Sequence, residues 1–510
     1  MENVLLKTDS TYCYKIKVYG IVQGVGFRPF VSRIATNNHI VGSVCNKGPF
    51  VEIFAQGAIN DVQNFLYFLK EKAPKRSEIL KLKQIEVELL DTNKFSIITS
   101  AKEKGQIFVS PDIAICPTCE KELFDKNDRR YLHPFINCTD CGPRLTILDT
   151  MPYDRERTSM GIFPMCEDCK DEYTNIKSRR YHAQPVCCND CGPHLYTLLG
   201  KKCEDQEALI ETRRVIRSGG IALIKGIGGY HLCCDATNND AVNRLRDLKR
   251  RPKKPFAIMA KNLEVVKREC IIENNETDIL DGPQKPIILL KRREHSLIAD
   301  SVAPNNPNIG IMLPYAPVQM LLFDYPDNQI MSDCFVMTSG NQSGAPICRT
   351  DEDAIEQLSD MVDIILSNNR EIRLRADDSV MSFFENKPYM IRRSRGYSPL
   401  PIITTKKRHG AVLAIGGELK NCFTLATDDL FYISPYIGDM ADVRSIKALA
   451  MAIERMEELL EIKPTVVACD LHPKYNSSAF AKQLGLKVIE VQHHYAHIVS
   501  CMAENDIDED

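Results

Sequence analysis

Long apolar runs are missing from this chain: nowhere do 18 or more uninterrupted apolar residues occur, so no segment reads as a membrane-spanning helix. Met1 to Tyr12 carries Glu2 and Asp9 and no apolar core followed by a cleavage site, so a secretory leader is not expected there. Both absences lead to the expectation of a cytoplasmic protein with no membrane partner. Net charge is nearly absent, because 65 Lys and Arg stand against 68 Asp and Glu for a formal −3. That removes any global electrostatic reason for a nucleic-acid coat, and a basic site has to be local. What is present is 510 residues at 44% hydrophobic and 26% charged. This is enough apolar surface for packed domains throughout, and at roughly 100–200 residues per domain the length predicts three or four of them.

Twenty cysteines in a long chain of this kind point to metal ligation before disulfides. Four CxxC pairs occur, Cys116/Cys119, Cys138/Cys141, Cys166/Cys169 and Cys188/Cys191. Eighteen residues separate the pairs within each half, 24 lie between Cys141 and Cys166, and the unit repeats with a period of 50. The flanks repeat as well: Arg129-Arg130-Tyr131 returns as Arg179-Arg180-Tyr181, and Cys141-Gly142-Pro143 as Cys191-Gly192-Pro193. Two CxxC knuckles supply four soft thiolates at about 2.3 Å in a tetrahedron, which suits Zn²⁺. With no open position, each site is expected to be structural and to lend folding energy to a segment with little core of its own. An iron–sulfur cluster or a redox dithiol is the alternative, although two evenly spaced four-cysteine sets do not look like a single thioredoxin-type CxxC. The remaining cysteines, Cys187, Cys233 and Cys234 among them, read as buried small residues.

Residues 12–98 alternate as an extended run Tyr14–Tyr19, a glycine loop, a helix near Pro29–Asn38, strands near Val41–Cys45 and Val51–Ala55, a helix near Ile59–Lys72, and a last strand pair near Ile85–Ile98. The βαββαβ order predicts a ferredoxin-like sandwich. In the loop Gln23-Gly24-Val25-Gly26-Phe27-Arg28, glycines let successive N–H groups face one anion, and Arg28 would add a fork for phosphate oxygens; a plain tight turn is the alternative. The string Val22–Arg28, with Asn46 eighteen residues after Arg28, closely resembles acylphosphatase. The resemblance implies that the loop and Arg28 hold an acyl phosphate while Asn46 positions the attacking water.

From about Gln206 to Pro401 the pattern changes to alternating helices and buried strands, a separate α/β domain. Lys249-Arg250-Arg251-Pro252-Lys253-Lys254 packs five cations into six positions, Ser339-Gly340-Asn341-Gln342-Ser343-Gly344 follows the strand Phe335-Val336-Met337, and Arg392–Tyr397 is a third basic element. A charge run alone is as consistent with a solvated face as with a phosphate site. Together these stretches resemble the YrdC/Sua family. That implies ATP binding and adenylate formation, with Lys249, Arg251, Lys254, Ser339 and Asn341 on the nucleotide and pyrophosphate; an RNA-binding role is the alternative within the same resemblance.

Pro399-Leu400-Pro401 with Thr404–His409 reads as a linker. Beyond it lie a strand Ala411–Ile415 into Gly416-Gly417, a helix Ile446–Leu460, and a strand Val466–Cys469 delivering Asp470-Leu471-His472-Pro473 at its carboxyl end, where open α/β sheets hold ligand groups. His493 and His497 are i and i+4, a spacing at which two imidazoles share one metal, with partners from elsewhere. Gly416–Asn421, Asp470–Pro473 and the histidines resemble the transferase domain shared with tRNA threonylcarbamoyl transferases, an actin-like fold of two lobes.

The expected modules are therefore acylphosphatase-like at 8–100, a zinc-binding segment with two four-cysteine sites at 105–200, YrdC-like at 204–400 and an incomplete transferase-like lobe at 408–510. The fold class is multidomain α/β and α+β. In this order they are similar to the hydrogenase-maturation carbamoyltransferases, the HypF family. That resemblance implies hydrolysis of carbamoyl phosphate, joining of carbamate to AMP from ATP with Mg²⁺, and transfer to the C-terminal cysteine thiolate of the partner HypE. A tRNA-modifying enzyme, or a non-catalytic zinc scaffold, would need only some of the modules. The last module has about 100 residues, so the length reads as a truncation, fragment or split gene, with hydrolysis and adenylation expected here and the final transfer left in question.

Overall fold

The computed structural model describes residues 11–74, 76–405 and 410–507. The expected module boundaries at 8, 408 and 510, and part of the 404–409 stretch, lie outside the described residues. Among the described residues, no helix is long and apolar enough to cross a membrane.

The first module is built from β1 (Thr11–Ile21), α1 (Phe27–Asn37), β2 (Val41–Asn46), β3 (Phe50–Ala58), α2 (Ile59–Glu71), β4 (Glu78–Val87) and β5 (Phe95–Ile97), with strand order β4-β1-β3-β2-β5. Alternating residues of β1, notably Ile16 and Val18, meet Val31 and Phe65 from the two helices in a core of their own. One expectation needs correcting: Ile85–Ile98 is not a strand pair. β4 begins at Glu78 and pairs antiparallel with β1, whereas β5 lies on the opposite edge, parallel to β2. Adjacent in sequence, the two are separated by the whole sheet.

The cysteine-rich segment has short helices, Pro117–Phe124 and Glu167–Thr174, each opening at the first cysteine of its repeat. Its apolar residues pack into its neighbours. Ile115, Cys119, Phe135 and Ile136 share one core with Met312, Tyr315 and Leu321 of the middle module. Leu145, Leu148 and Met151 share another with Leu413, Leu449 and Ile453 of the last. The segment is thus a central wedge that borrows its core, in keeping with the small core its sequence offers.

The middle module is an 11-stranded sheet, and it recruits the strand Leu195–Leu199 of the cysteine-rich segment at its edge against Ile364–Asn368. The third sheet has six strands. The proline-marked stretch expected as a linker instead supplies its edge: Pro401–Ile403 pairs with Leu430–Ile433, proline sitting at a strand's first residue where no ladder N–H is demanded. The helix Val443–Leu460 carries Leu449, Ile453, Met456 and Leu460 onto this sheet at helical spacing.

Candidate functional site

The phosphate-type loop lies between β1 and α1. Gly24 (φ 72°) and Gly26 (φ 75°) adopt the left-handed conformation that glycine takes at least cost, and Gly26 caps α1, whose first-turn N–H groups are left free by helix geometry. A second wall crowds the same glycines: a Cβ on Gly24 would meet the Arg144 side chain at 3.2 Å, and one on Gly26 would meet Thr139 and Asp140 at 3.3 Å. That wall is the cysteine-rich segment. Arg144, 2% exposed, donates through Nε to the Gly24 carbonyl and through Nη1 and Nη2 to the carbonyls of Cys141, Pro143 and Thr139. The first metal knuckle and the loop are therefore tied by one guanidinium.

Arg28 is buried in this interface. Its Nη1 donates to Asp154 Oδ1 at 2.9 Å and Ser100 Oγ at 3.1 Å, and its Nη2 to the Tyr153 carbonyl at 3.1 Å. With its amide oxygen turned toward the guanidinium, Asn46 accepts from Nη2 at 3.2 Å and Nε at 3.1 Å. A cavity of some 20 Å³ remains, lined by Gln23, Gly24, Gly26, Phe27 and Arg28 on one side and Thr139, Tyr153, His182 and Gln184 on the other. Burial, with Arg28 nearby, pulls His182 down to about 4, so this imidazole is neutral at physiological pH. Val25 packs into the core beneath.

The eight cysteines form two separate tetrahedra. Cys116, Cys119, Cys138 and Cys141 have Sγ–Sγ separations of 3.6 to 3.8 Å, and Cys166–Cys188 and Cys188–Cys191 are 3.8 Å apart. Bonds of about 2.3 Å from one tetrahedral ion give edges of about 3.8 Å, so both donor sets fit a thiolate-preferring tetrahedral metal. All twenty cysteines are unbridged. The repeated arginines act across the repeat. Arg129, from the first half, donates to Cys166, Cys169 and Cys188 of the second site, and Arg179, from the second half, donates to Cys119 of the first at 2.9 Å. A divalent ion on four thiolates carries two net negative charges, which these guanidiniums offset. Arg129→Gln is expected to speed metal loss to a chromogenic chelator from the second site while the first releases at the wild-type rate; release at the wild-type rate from both sites would contradict this electrostatic role.

In the middle module the five expected residues divide. Lys249, 4% exposed, donates through Nζ to the Ser339 carbonyl at 2.7 Å and to the Asn341 carbonyl and Oδ1, each at 3.0 Å; Ser339 Oγ donates to Asn341 Oδ1 at 2.9 Å. Burial and then Arg251 pull Lys249 down to about 7. Arg251 and Lys254 lie at the rim: Arg251 stacks on Phe256 and donates to the carbonyls of Lys254 and Pro255, while Lys254 is solvent-exposed. In the Arg392–Tyr397 stretch, Arg392 pairs with Asp377 and fully buried Arg395 with Asp378. Sequence reasoning passed over His231. It is the cross-strand partner of Ser339, hydrogen-bonded to Asp378 at 3.0 Å, and its buried Nδ1 has no partner.

At the far end, the helix His493–Glu504 opens at the histidine cluster. His493 and His497 bring Nε2 atoms to 3.1 Å, and Asp470 at the end of its strand accepts from His493 Nδ1 at 2.9 Å. His472 is instead stacked on Tyr475. The two imidazole nitrogens thus converge, with the His493 ring oriented by one carboxylate.

Family models match the chain in order: acylphosphatase at 14–97, HypF finger at 115–148 and 165–198, the Sua5/YciO/YrdC model described as telomere recombination at 214–394, and HypF Kae1-like domain at 407–504. The carbamoyltransferase HypF2 of Cupriavidus necator is 41% identical over 99% of this chain and 65% of its own length. A crystal structure of full-length HypF in a phosphate- and nucleotide-bound form superposes with a TM-score of 0.94 at 44% identity, covering 98% of this chain and 65% of the other. The acylphosphatase of Staphylococcus aureus strain Newman is 45% identical over 74 residues, 83% of that protein. Fold and sites together define a multidomain α/β protein in which an acylphosphatase-type loop, paired four-cysteine fingers and a YrdC-type sheet are packed into one body. The chain belongs to the HypF family, and it spans about 65% of the length of the HypF carbamoyltransferases that match it from end to end.

Proposed function

We propose that this chain takes carbamoyl phosphate and ATP to carbamoyl adenylate, as part of the carbamoyltransferase chemistry of [NiFe]-hydrogenase maturation. At the first site the N–H groups from Gln23 to Arg28 and the Arg28 guanidinium hold the phosphate, and Asn46 orients water. Water cleaves the acyl phosphate to carbamate, inorganic phosphate and a proton. At the second, Lys249, Arg251, Lys254, Ser339 and Asn341 hold ATP, supplied with Mg²⁺. Carbamate oxygen displaces pyrophosphate from the α-phosphorus, and fixed cations stabilise the charge that builds on the leaving group. Zn²⁺ fills both four-cysteine sites in a structural role. His493 and His497 contribute to a metal of the transferase module, which passes the carbamoyl group to the C-terminal thiolate of a HypE-type acceptor.

One observation carries the reading. The cysteine-rich wedge bonds the glycine loop and the middle module at once, through Arg144 on the Gly24 carbonyl and through Ile115 N–H on the Tyr315 carbonyl at 3.0 Å. Free carbamate is short-lived in water, and a wedge bonded to both modules keeps the hydrolysing and adenylating sites in one body. The phosphate- and nucleotide-bound form of the 44% identical relative supports one phosphate ligand and one nucleotide ligand on this fold. The test is product formation from ATP with either carbamoyl phosphate or threonine plus bicarbonate. Pyrophosphate released only with the former supports the proposal, and release only with the latter contradicts it.

A further inference from the structure

Every donor of Arg28 is already engaged. A guanidinium has five N–H bonds. Here Nε reaches Asn46, Nη1 reaches Ser100 and Asp154, and Nη2 reaches the Tyr153 carbonyl and Asn46. A phosphate dianion settling on the loop gains Arg28 only by displacing one of these partners. Asp154 is the partner that yields, because it alone among them carries charge of the same sign and competes with phosphate for Nη1. Its side chain is 13% exposed, so on release it stands beside an anion, mostly out of water and short of a donor, which is costly.

We propose that the amino group of the carbamoyl moiety supplies that donor, making Asp154, a residue of the cysteine-rich wedge, the group that selects carbamoyl phosphate over acyl phosphates with an apolar acyl group. One charge-assisted bond moves from Asp154 to phosphate, and a substrate N–H takes its place on the carboxylate. Acetyl phosphate presents a methyl group there and leaves the carboxylate unpaired. Of the other groups on the wall, Gln184 accepts from Arg155 N–H and the Tyr173 hydroxyl and donates to the His182 carbonyl, and the Thr139 hydroxyl donates to the Arg179 carbonyl, whereas the buried Tyr153 hydroxyl has no partner but carries no charge for phosphate to displace. Asp140 also approaches the loop but is solvent-exposed and keeps its water.

This inference rests on reading the loop as a carbamoyl-phosphate hydrolase, and kcat/KM for carbamoyl and acetyl phosphate on the full chain separates the two. In Asp154→Ala the carbamoyl-to-acetyl ratio is expected to fall by about tenfold or more, mainly through loss on carbamoyl phosphate, since a site built around a substrate N–H discriminates strongly against analogues lacking it. Asp154→Asn, which keeps an accepting oxygen and nearly the same shape, is expected to retain part of the preference; equal metal content in both variants reports intact folding. An equal fall on both substrates would mean that Asp154 only positions Arg28, and an unchanged ratio would likewise overturn the selection role. Hydrolysis of neither substrate by the wild-type chain would overturn the parent reading and this inference with it.

Discussion

Arg28→Ala is expected to lower carbamoyl-phosphate hydrolysis by about a thousandfold, the scale on which loss of a preorganised charge at a developing anion is felt. The variant also strands the Asp154 carboxylate and the Tyr153 carbonyl in the interface, a cost of about 1–3 kcal/mol in stability for buried groups left without a donor. Arg28→Lys separates the two effects. An ammonium keeps the charge opposite Asp154 but lacks the planar fork that spans Asn46, Ser100 and Tyr153. Its hydrolysis is therefore expected to stay low while its thermal stability lies closer to wild type. Phosphate release and thermal unfolding measured on both variants check this, and a fully active lysine variant would contradict the role given to the fork.

The second large effect is expected at Lys249. Its Nζ holds the Ser339–Asn341 turn from beneath, and Lys249→Ala is expected to reduce carbamoyl-phosphate-dependent pyrophosphate exchange by about 10²–10³-fold. A pH signature accompanies the loss. Burial has pulled the free lysine down to about 7, so above that pH it begins to give up a proton and with it one of its three donated bonds. The polyphosphate of ATP restores the charged form, so binding takes up a proton and ATP affinity declines as pH rises above about 7. Titration calorimetry at about pH 8 in two buffers of different ionisation enthalpy is expected to report net proton uptake in the wild type and a smaller uptake in the alanine variant. Buffer-independent heats in the wild type would contradict it.

The parts of this molecule that could be read from its sequence are those whose chemistry is local. The CxxC spacing requires its ligands close together along the chain, and the structure forms two tetrahedra from those eight residues. The glycine loop carries its own backbone demands at Gly24 and Gly26, and Lys249 meets Ser339 and Asn341 as the paired motifs implied. Hidden from sequence was whatever depends on which surfaces meet. Asp154 lies 126 residues from Arg28, in a stretch without periodicity, and only docking of the wedge brings it onto the Arg28 guanidinium. His231 and Asp378, 147 residues apart, meet on a sheet whose strand order no local pattern encodes. The strand-edge corrections share that cause: β4 and β5 look like neighbours along the chain and sit on opposite edges, and Pro401, a linker signal in isolation, begins an edge strand where its missing N–H costs nothing.

One chain is proposed to hydrolyse carbamoyl phosphate and to adenylate the carbamate it releases. This is tested most directly by incorporation of labelled pyrophosphate into ATP on this chain, with and without carbamoyl phosphate. Exchange that requires carbamoyl phosphate, and that disappears in Arg28→Ala although Lys249 is intact, is the predicted result. Exchange that proceeds equally without carbamoyl phosphate, or that survives undiminished in Arg28→Ala, would contradict the account.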